Sequence, residues 1–279
     1  MKPTVAIVGV GLIGGSLGMA LRKSRRYRVI GIGRNIRRLR EAKRRGAVDR
    51  IATQLSAAAA ADLVVIASPV DTIAPTFKRL LPYLKPGAVV SDVGSVKGSV
   101  MEQIAQVKHP RSIHFVGAHP LAGSHETGVK AAHSRLFERS TVVLVPEPHA
   151  PLKPLKSLWR AVGANVVVLA AAEHDRAVAL ISHLPHLVAH ALVHLLANQR
   201  DRRRLIPLLA GSFRDATRVA ASDAEQWRQI LHANRQPLKR SLQSFRRELS
   251  RLETALSRRS LKSHLRKSHA FRRSLFNGI

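Results

Sequence analysis

With 279 residues the chain can fold as one large domain or two modest ones, each with a full core, and its 45% apolar content fits a globular protein. The absence of cysteine excludes disulfides, thiolate catalysis and Cys-ligated zinc. Lys and Arg number 47 against 17 Asp and Glu, a net charge of +30 that draws anionic metabolites and, less selectively, nucleic acid or acidic membrane surfaces.

Thr4-Val5-Ala6-Ile7-Val8 is a β-branched run leading into Gly9-Val10-Gly11-Leu12-Ile13-Gly14, with a helical pattern from Leu17 to Lys23. A G-x-G-x-x-G turn between a strand and a helix is the context in which that motif binds a dinucleotide. Its glycines let the backbone approach a pyrophosphate, and the helix N-terminus offers free N–H groups. Gly9, Gly11, Leu12, Ile13 and Gly14 are therefore expected to hold the cofactor. The second strand, Arg28 to Ile32, ends at Gly33-Arg34-Asn35 instead of the acidic residue that holds a ribose 2′-hydroxyl. A guanidinium at Arg34 suits a 2′-phosphate, so NADP is favoured and NAD remains possible; the alternative is that Arg34 only caps the next basic helix.

Asp62 to Val70 reads as a buried parallel strand, and its carboxyl end, Ser68-Pro69, is expected beside the cofactor. After a helix from Asp71 to Leu84, a strand from Ala88 to Val93 meets Gly94-Ser95-Val96-Lys97. Ser95 stands where open α/β sheets place their ligands, though from the residues alone helix capping is its better role. Ile113 to Ala118 is strand-like, and His119-Pro120-Leu121-Ala122-Gly123 follows. The proline and glycines there predict an open loop, with His119 facing a cleft as a general base or hydrogen-bond acceptor. Strands at Thr141 to Val145 and Asn165 to Leu169 flank a helix through Trp159. This alternation predicts an α/β fold with a Rossmann-type doubly wound parallel sheet.

Beyond Ala170 the pattern turns all-helical: Glu173 to Leu196, Leu205 to Leu209, Ala224 to His232, and an amphipathic stretch from Gln236 to Leu256 with apolar positions at Leu238, Leu242, Phe245, Leu249, Leu252 and Leu256. We divide the chain into a dinucleotide-binding domain (1–170), a helical substrate and dimerisation domain (171–257) and a basic tail (258–279). Pro185 is expected to kink the first long helix. His183 and His186 beside it read as donors to an anionic substrate or as core histidines, not as metal ligands. The run of histidines through His190 and His194 lacks H-E-x-x-H and a carboxylate partner. Gly211 to Asp223 carries Arg214 and Arg218 around Asp215, either a carboxylate clamp or a surface ion pair, and Ser222-Asp223 is a helix N-cap before Trp227.

Basic residues thicken after Arg246 into a tail expected to be frayed. With 4% aromatic residues and no finger or RNP-type motif, no specific nucleic-acid partner is expected. No uninterrupted apolar run reaches the roughly 18 residues that span a bilayer, and a strand pattern starts at once. The sequence thus predicts neither a membrane helix nor a signal peptide, and a cytoplasmic protein.

Taken in order, GVGLIGGS (Gly9 to Ser16), SDVGSVK (Ser91 to Lys97), GAHPLAGSHETG (Gly117 to Gly128), EHD with SHLPH (Glu173 to His186) and GSFRDATRVAASD with Trp227 resemble the prephenate/arogenate dehydrogenase family of tyrosine biosynthesis, over nearly the whole chain to Leu256. The resemblance implies an oxidative decarboxylation with hydride transfer to NAD(P), and a homodimer formed through the helical domain. It makes His119 the acceptor of the 4-hydroxyl proton and brings Ser95 to that hydroxyl or to His119. It also assigns Arg218 to a substrate carboxylate and His183, His186 and Trp227 to the pocket. His125 stands where some members carry a carboxylate, leaving prephenate and arogenate both open as substrates. Two other readings are weaker. A β-hydroxyacid-type dehydrogenase normally needs a lysine on the first long helix of the second domain, and Glu173 to Leu196 has none. A basic nucleic-acid-binding protein on a Rossmann scaffold leaves His119 and Arg218 unexplained.

Overall fold

The computed structural model describes residues 2–123, 126–257 and 260–276. The chain forms two compact units, Met1–Asn234 and Arg235–Ile279.

The first unit is built on an eight-stranded sheet: β1 (Thr4–Val8), β2 (Arg28–Ile32), β3 (Arg50–Ala52), β4 (Leu63–Ile66), β5 (Val89–Asp92), β6 (His114–Pro120), β7 (Thr141–Pro146) and β8 (Asn165–Val168). Their spatial order is β3-β2-β1-β4-β5-β6-β7-β8. Helices α1 (Leu12–Ser24), α2 (Ile36–Arg44), α3 (Ile73–Leu80), α4 (Gly98–Ala105) and α5 (Lys153–Ala161) cover it. The period-2 alternation of a strand sorts the core onto two faces. Val5 and Ile7 of β1 pack with Leu17, Leu21, Phe137 and Trp159, and Ala6 and Val8 pack with Ile73, Phe77, Ile104 and Phe115.

The sheet is parallel except at one joint, where β6 and β7 run antiparallel with His119 opposite Val143. A parallel return needs a crossover, usually a long helix. The connection from β6 to β7 has only the single 3-10 turn Val129–Ala131 among its described residues. The chain reverses instead, so β7 and β8 oppose the other strands. The doubly wound parallel sheet expected from the sequence is thus present, with one antiparallel joint at this edge.

The register sets the site. Val8 aligns with Ile32 and Ile66, and Ile66 aligns with Asp92, so four strands end level. β6 pairs with β5 only as far as Ser91↔Val116 and then runs on through Ala118, His119 and Pro120. His119 is therefore a strand residue at the carboxyl edge, 8% exposed, and not part of the open loop expected after Ala118. Pairing with β7 holds the strand together through Pro120, because β6 is still laddered on that side.

The rest of the first unit is helical: α6 (Ala171–Val178), α7 (Leu184–Ala197), α8 (Arg202–Leu205), α9 (Gly211–Thr217) and α10 (Ala224–Ala233). Between α6 and α7 the chain makes a π turn, Ala179–His183, in place of a simple proline kink. Pro185 has no N–H for the carbonyl four residues back, and the widened turn just before it absorbs the missing bond. Together Ala171–Ala197 make 27 helical residues, by length and composition apolar enough to cross a membrane, in contrast to the expectation of no such helix. That helix nevertheless commits His174, Asp175 and His183 to a buried polar network.

The second unit pairs α11 (Arg235–Leu256) with α12 (Leu261–Phe276), and His264 Nε2 meets Glu248 Oε1 at 2.9 Å. The basic tail is thus helical over most of its length. Along the apolar stripe of α11, Leu238 is buried, while Leu249 and Leu256 remain exposed.

Candidate active site at the carboxyl edge of the sheet

The glycine turn is shaped by what surrounds it. Gly9 has φ +97°, and a Cβ there would lie 2.4 Å from the Ala67 carbonyl oxygen; one on Gly14 would lie 2.1 Å from the Gly9 carbonyl oxygen. A Cβ on Gly11 would meet nothing within 4 Å, and no side chain caps α1. The turn is therefore closed beneath by protein and open above, over a helix N-terminus with unpaired donors, and so fits a pyrophosphate. Gly11, Leu12 and Ile13 form that opening. Ser68 and Pro69 follow β4 directly after Ala67, and Ser68 Oγ accepts from Thr72 Oγ1 at 2.8 Å. Arg34 is exposed at the end of β2 and has no ion-pair partner among the described residues. It does not cap α2, since Asn35 Oδ1 takes that role by accepting from Arg38 N at 3.1 Å.

Where β5 stops, side chains take over its ladder. Ala118 N donates to Asp92 Oδ1 at 3.0 Å, and Lys97 Nζ donates to the Ala118 carbonyl at 2.9 Å. Lys97 Nζ also pairs with Asp92 Oδ2, both side chains being fully buried. Burial drives the Lys97 ammonium below its ordinary pKa, against the opposing pull of Asp92. This ion pair fixes both backbone groups of the residue preceding His119. Ser95, on the turn between, is half-buried and makes no hydrogen bond to a described residue. It does not cap α4. The N–H groups of Lys97 and Gly98 instead donate, at 2.8 Å each, to the carboxylate of Asp175 on α6.

Asp175 is also the end of a histidine pair. His119 Nδ1 lies 2.8 Å from His174 Nε2, and His174 Nδ1 lies 2.8 Å from Asp175 Oδ1. Burial first, then the neighbouring His174, Lys97 and His183, push the His119 pKa well below 6.5, so its imidazole is neutral at pH 7.

His183 is fully buried, with Nδ1 2.9 Å from Asn234 Nδ2, which also donates to the Asp175 carbonyl at 2.9 Å. The His183 ring stands edge-on to Trp227 at 6.0 Å, and His186 stacks on Trp227 with centroids 3.3 Å apart. Burial lowers both histidines to about 4, with the Arg218 charge adding to the shift of His186. The structure thus brings His119, His183, His186 and Trp227 together, with Arg218 close to His186. Among the described residues neither Arg214 nor Arg218 forms the ion pair with Asp215 that the sequence offered as an alternative, and all three side chains are exposed. Asp223 does cap α10, accepting from Gln226 N at 2.7 Å. His125 lies outside the described residues. The residues least visible beforehand are Asp92, Lys97, His174, Asp175 and Asn234. Asp92, Lys97, His174 and Asp175 fall inside the SDVGSVK and EHD runs, where a buried acid–lysine pair and a His-Asp dipeptide are the only local signals.

The fold and the open glycine turn define a class, a Rossmann-type NAD(P)-dependent dehydrogenase with a helical second half. Comparison narrows it. The family description "Prephenate dehydrogenase, nucleotide-binding domain" matches residues 17–168, and "Prephenate dehydrogenase, dimerization domain" matches 170–268. The chain belongs to the prephenate dehydrogenase family. It is 35% identical to a Bacillus subtilis prephenate dehydrogenase over 91% of this chain and 70% of that protein. It is 32% identical to a Zymomonas mobilis cyclohexadienyl dehydrogenase over 97% and 95%. Among solved structures, Aquifex aeolicus prephenate dehydrogenase in complex with hydroxyphenyl propionate and NAD+ superposes with a TM-score of 0.90 at 31% identity, covering 99% of each chain. A Synechocystis arogenate dehydrogenase superposes at 0.84 with 32% identity, covering 98% of this chain and 99% of that one.

Proposed function

We propose that this chain is a prephenate or arogenate dehydrogenase that oxidatively decarboxylates its substrate to 4-hydroxyphenylpyruvate or tyrosine. The observation that carries the proposal is the placement of His119, a neutral imidazole where β6 outruns β5 at the carboxyl edge of the sheet, bonded to the helical half through His174. With Gly11, Leu12 and Ile13 holding its pyrophosphate, a bound NAD(P) would supply the hydride acceptor for the ring carbon that bears the hydroxyl. His119 takes the hydroxyl proton as that carbon becomes ketone-like. The bond from the opposite ring carbon to its carboxylate breaks, its electron pair completes the aromatic ring, CO2 leaves, and the proton returns to the phenolate oxygen. A neutral imidazole is the form required for the first of these steps.

Ser95, with its hydroxyl uncommitted, orients the substrate hydroxyl or His119. Arg218, beside His186 and without an ion-pair partner among the described residues, holds a substrate carboxylate, since a guanidinium offers a fork of donors. Trp227 with His183 and His186 walls the ring, and His125 is a further candidate contact to the substrate. Gly9, Gly11, Leu12, Ile13, Gly14, Ser68 and Pro69 hold the cofactor, and Arg34, without an acidic partner, favours NADP over NAD. Residues 1–170 serve the cofactor and the helical segment from 171 serves substrate and dimerisation. Leu180, Ile181, Leu195, Ile206 and Leu208 stay more than half exposed, an apolar surface that a second copy of the chain would cover. A cytoplasmic setting belongs to the same reading, as does the absence of a specific nucleic-acid partner.

The test is a matrix of initial rates with prephenate and with arogenate, each with NAD and with NADP. Turnover of at least one ring substrate, better with NADP, is expected; no turnover of either substrate with either cofactor contradicts the proposal.

A further inference from the structure

The histidine behind His119 is bonded to a carboxyl group that also accepts from two backbone N–H groups, and this constrains more than one bond. Burial works to raise the Asp175 pKa, but bonds from His174 and from the N–H groups of Lys97 and Gly98 outweigh it and hold the carboxyl below its ordinary value. Asp175 is therefore a carboxylate and can only accept. His174 must donate to it from Nδ1. With its Nδ1 proton directed to Asp175, a neutral His174 presents a lone pair at Nε2. The atom 2.8 Å from that lone pair, His119 Nδ1, must then be the donor. What remains on His119 is Nε2, unprotonated and without a bond to any described residue.

We propose that His174 and Asp175 are positioning residues which lock His119 in its Nδ1–H tautomer, so that Nε2 is the atom that accepts the substrate's hydroxyl proton. The inference rests on the dehydrogenase reading. The relay also answers a difficulty in that reading. Burial, His174, Lys97 and His183 all oppose a charge on His119, yet the reaction must place one there. When Nε2 is protonated, the positive charge spreads along His119 Nδ1–H to His174 and comes to rest against the Asp175 carboxylate, while Lys97 is already neutralised by Asp92. Asp175 is also the group that caps the N-terminus of α4, so the relay is fastened to the same turn that anchors Ala118.

The experiment uses the full chain with 15N-labelled histidine, and the His119 resonances are assigned by their loss in a His119→Asn sample. The wild type is expected to show protonated Nδ1 and unprotonated Nε2. In Asp175→Asn the amide oxygen keeps Gly98 N–H, and the NH2 takes the place of Oδ1, giving up the Lys97 N–H bond and facing His174 Nδ1. This reverses His174 and switches His119 to Nε2–H, with kcat falling about a hundred- to ten-thousand-fold. His174→Gln, whose carbonyl can still accept from His119 Nδ1, should keep the tautomer and more of the rate than His174→Leu, and its kcat–pH profile should keep an acid limb, because His119 must still be unprotonated, displaced from that of the wild type. An Nε2–H tautomer in the wild type, or an unchanged tautomer and kcat in Asp175→Asn, overturns the proposal. If Asp175→Asn does not fold, equal rates for His174→Gln and His174→Leu overturn it. A wild type that shows the expected tautomer but turns over neither ring substrate refutes the dehydrogenase reading and leaves the relay standing.

Discussion

Replacing Lys97 by Met should be the most damaging single change at the sheet edge, and its cost can be built from the contacts. The side chain is fully buried and bonds both to Asp92 and to the Ala118 carbonyl. Removing one member of a buried pair leaves the other charge uncompensated, a penalty of about 3–5 kcal/mol. The orphaned Ala118 carbonyl adds roughly 1 kcal/mol. Gly94 N and Ala118 N still donate to Asp92, at 2.7 and 3.0 Å, which keeps the total toward the lower end. A loss of about 4 kcal/mol corresponds to a Tm drop on the order of 10 °C for a domain of this size. Urea unfolding followed by tryptophan fluorescence reads it, because Trp159 is fully buried in the same unit. The double variant Asp92→Asn/Lys97→Met removes the stranded charge and should recover about half of the loss. A single variant within about 1 kcal/mol of the wild type would refute the claim that this pair substitutes for the missing strand.

Gly11→Ala should fold normally, since its Cβ meets nothing within 4 Å, yet raise the cofactor KM by an order of magnitude or more; unchanged KM would show that the pyrophosphate lies elsewhere. Arg34→Ala should raise KM for NADP about tenfold and leave NAD untouched, and equal effects on both would remove Arg34 from the 2′-phosphate site. The pKa of His183 is depressed in the folded chain to about 4 against 6.5 unfolded, so the unfolded chain binds more protons between those values. Its contribution is complete above pH 6.5 and is lost as pH falls toward 4, up to roughly 3 kcal/mol. His183→Gln should flatten the urea midpoint against pH in that window, and an unaltered slope would contradict the assignment.

Much of this site was legible because its chemistry is local. Gly9 to Gly14 name their own turn, and Asp223 names its cap, since the partners lie within a few residues. His119, Arg218 and Trp227 came through ordered motifs. What stayed hidden depends on separation along the chain. The partners of His119 and Lys97 on α6 lie 55 and 78 positions away, and no periodicity encodes such pairs. The reversal of β7 was equally invisible, because a strand's composition carries its burial but not its direction, and only the helix-poor connection hints at it. His119 was placed on a loop because Pro120 and Gly123 suggest one, whereas pairing with β7 keeps the strand intact through Pro120. The basic tail is a helix for a similar reason, since charge density alone does not reveal the His264–Glu248 contact that ties α12 to α11.

The central claim is that His119 is the proton acceptor for oxidation of a ring hydroxyl. Single-turnover and steady-state rates of His119→Asn, with cofactor binding measured in parallel by fluorescence, test it most directly. The account predicts wild-type cofactor affinity and a kcat reduced by at least about a hundredfold on the substrate the wild type prefers. Near wild-type kcat with that substrate would contradict it.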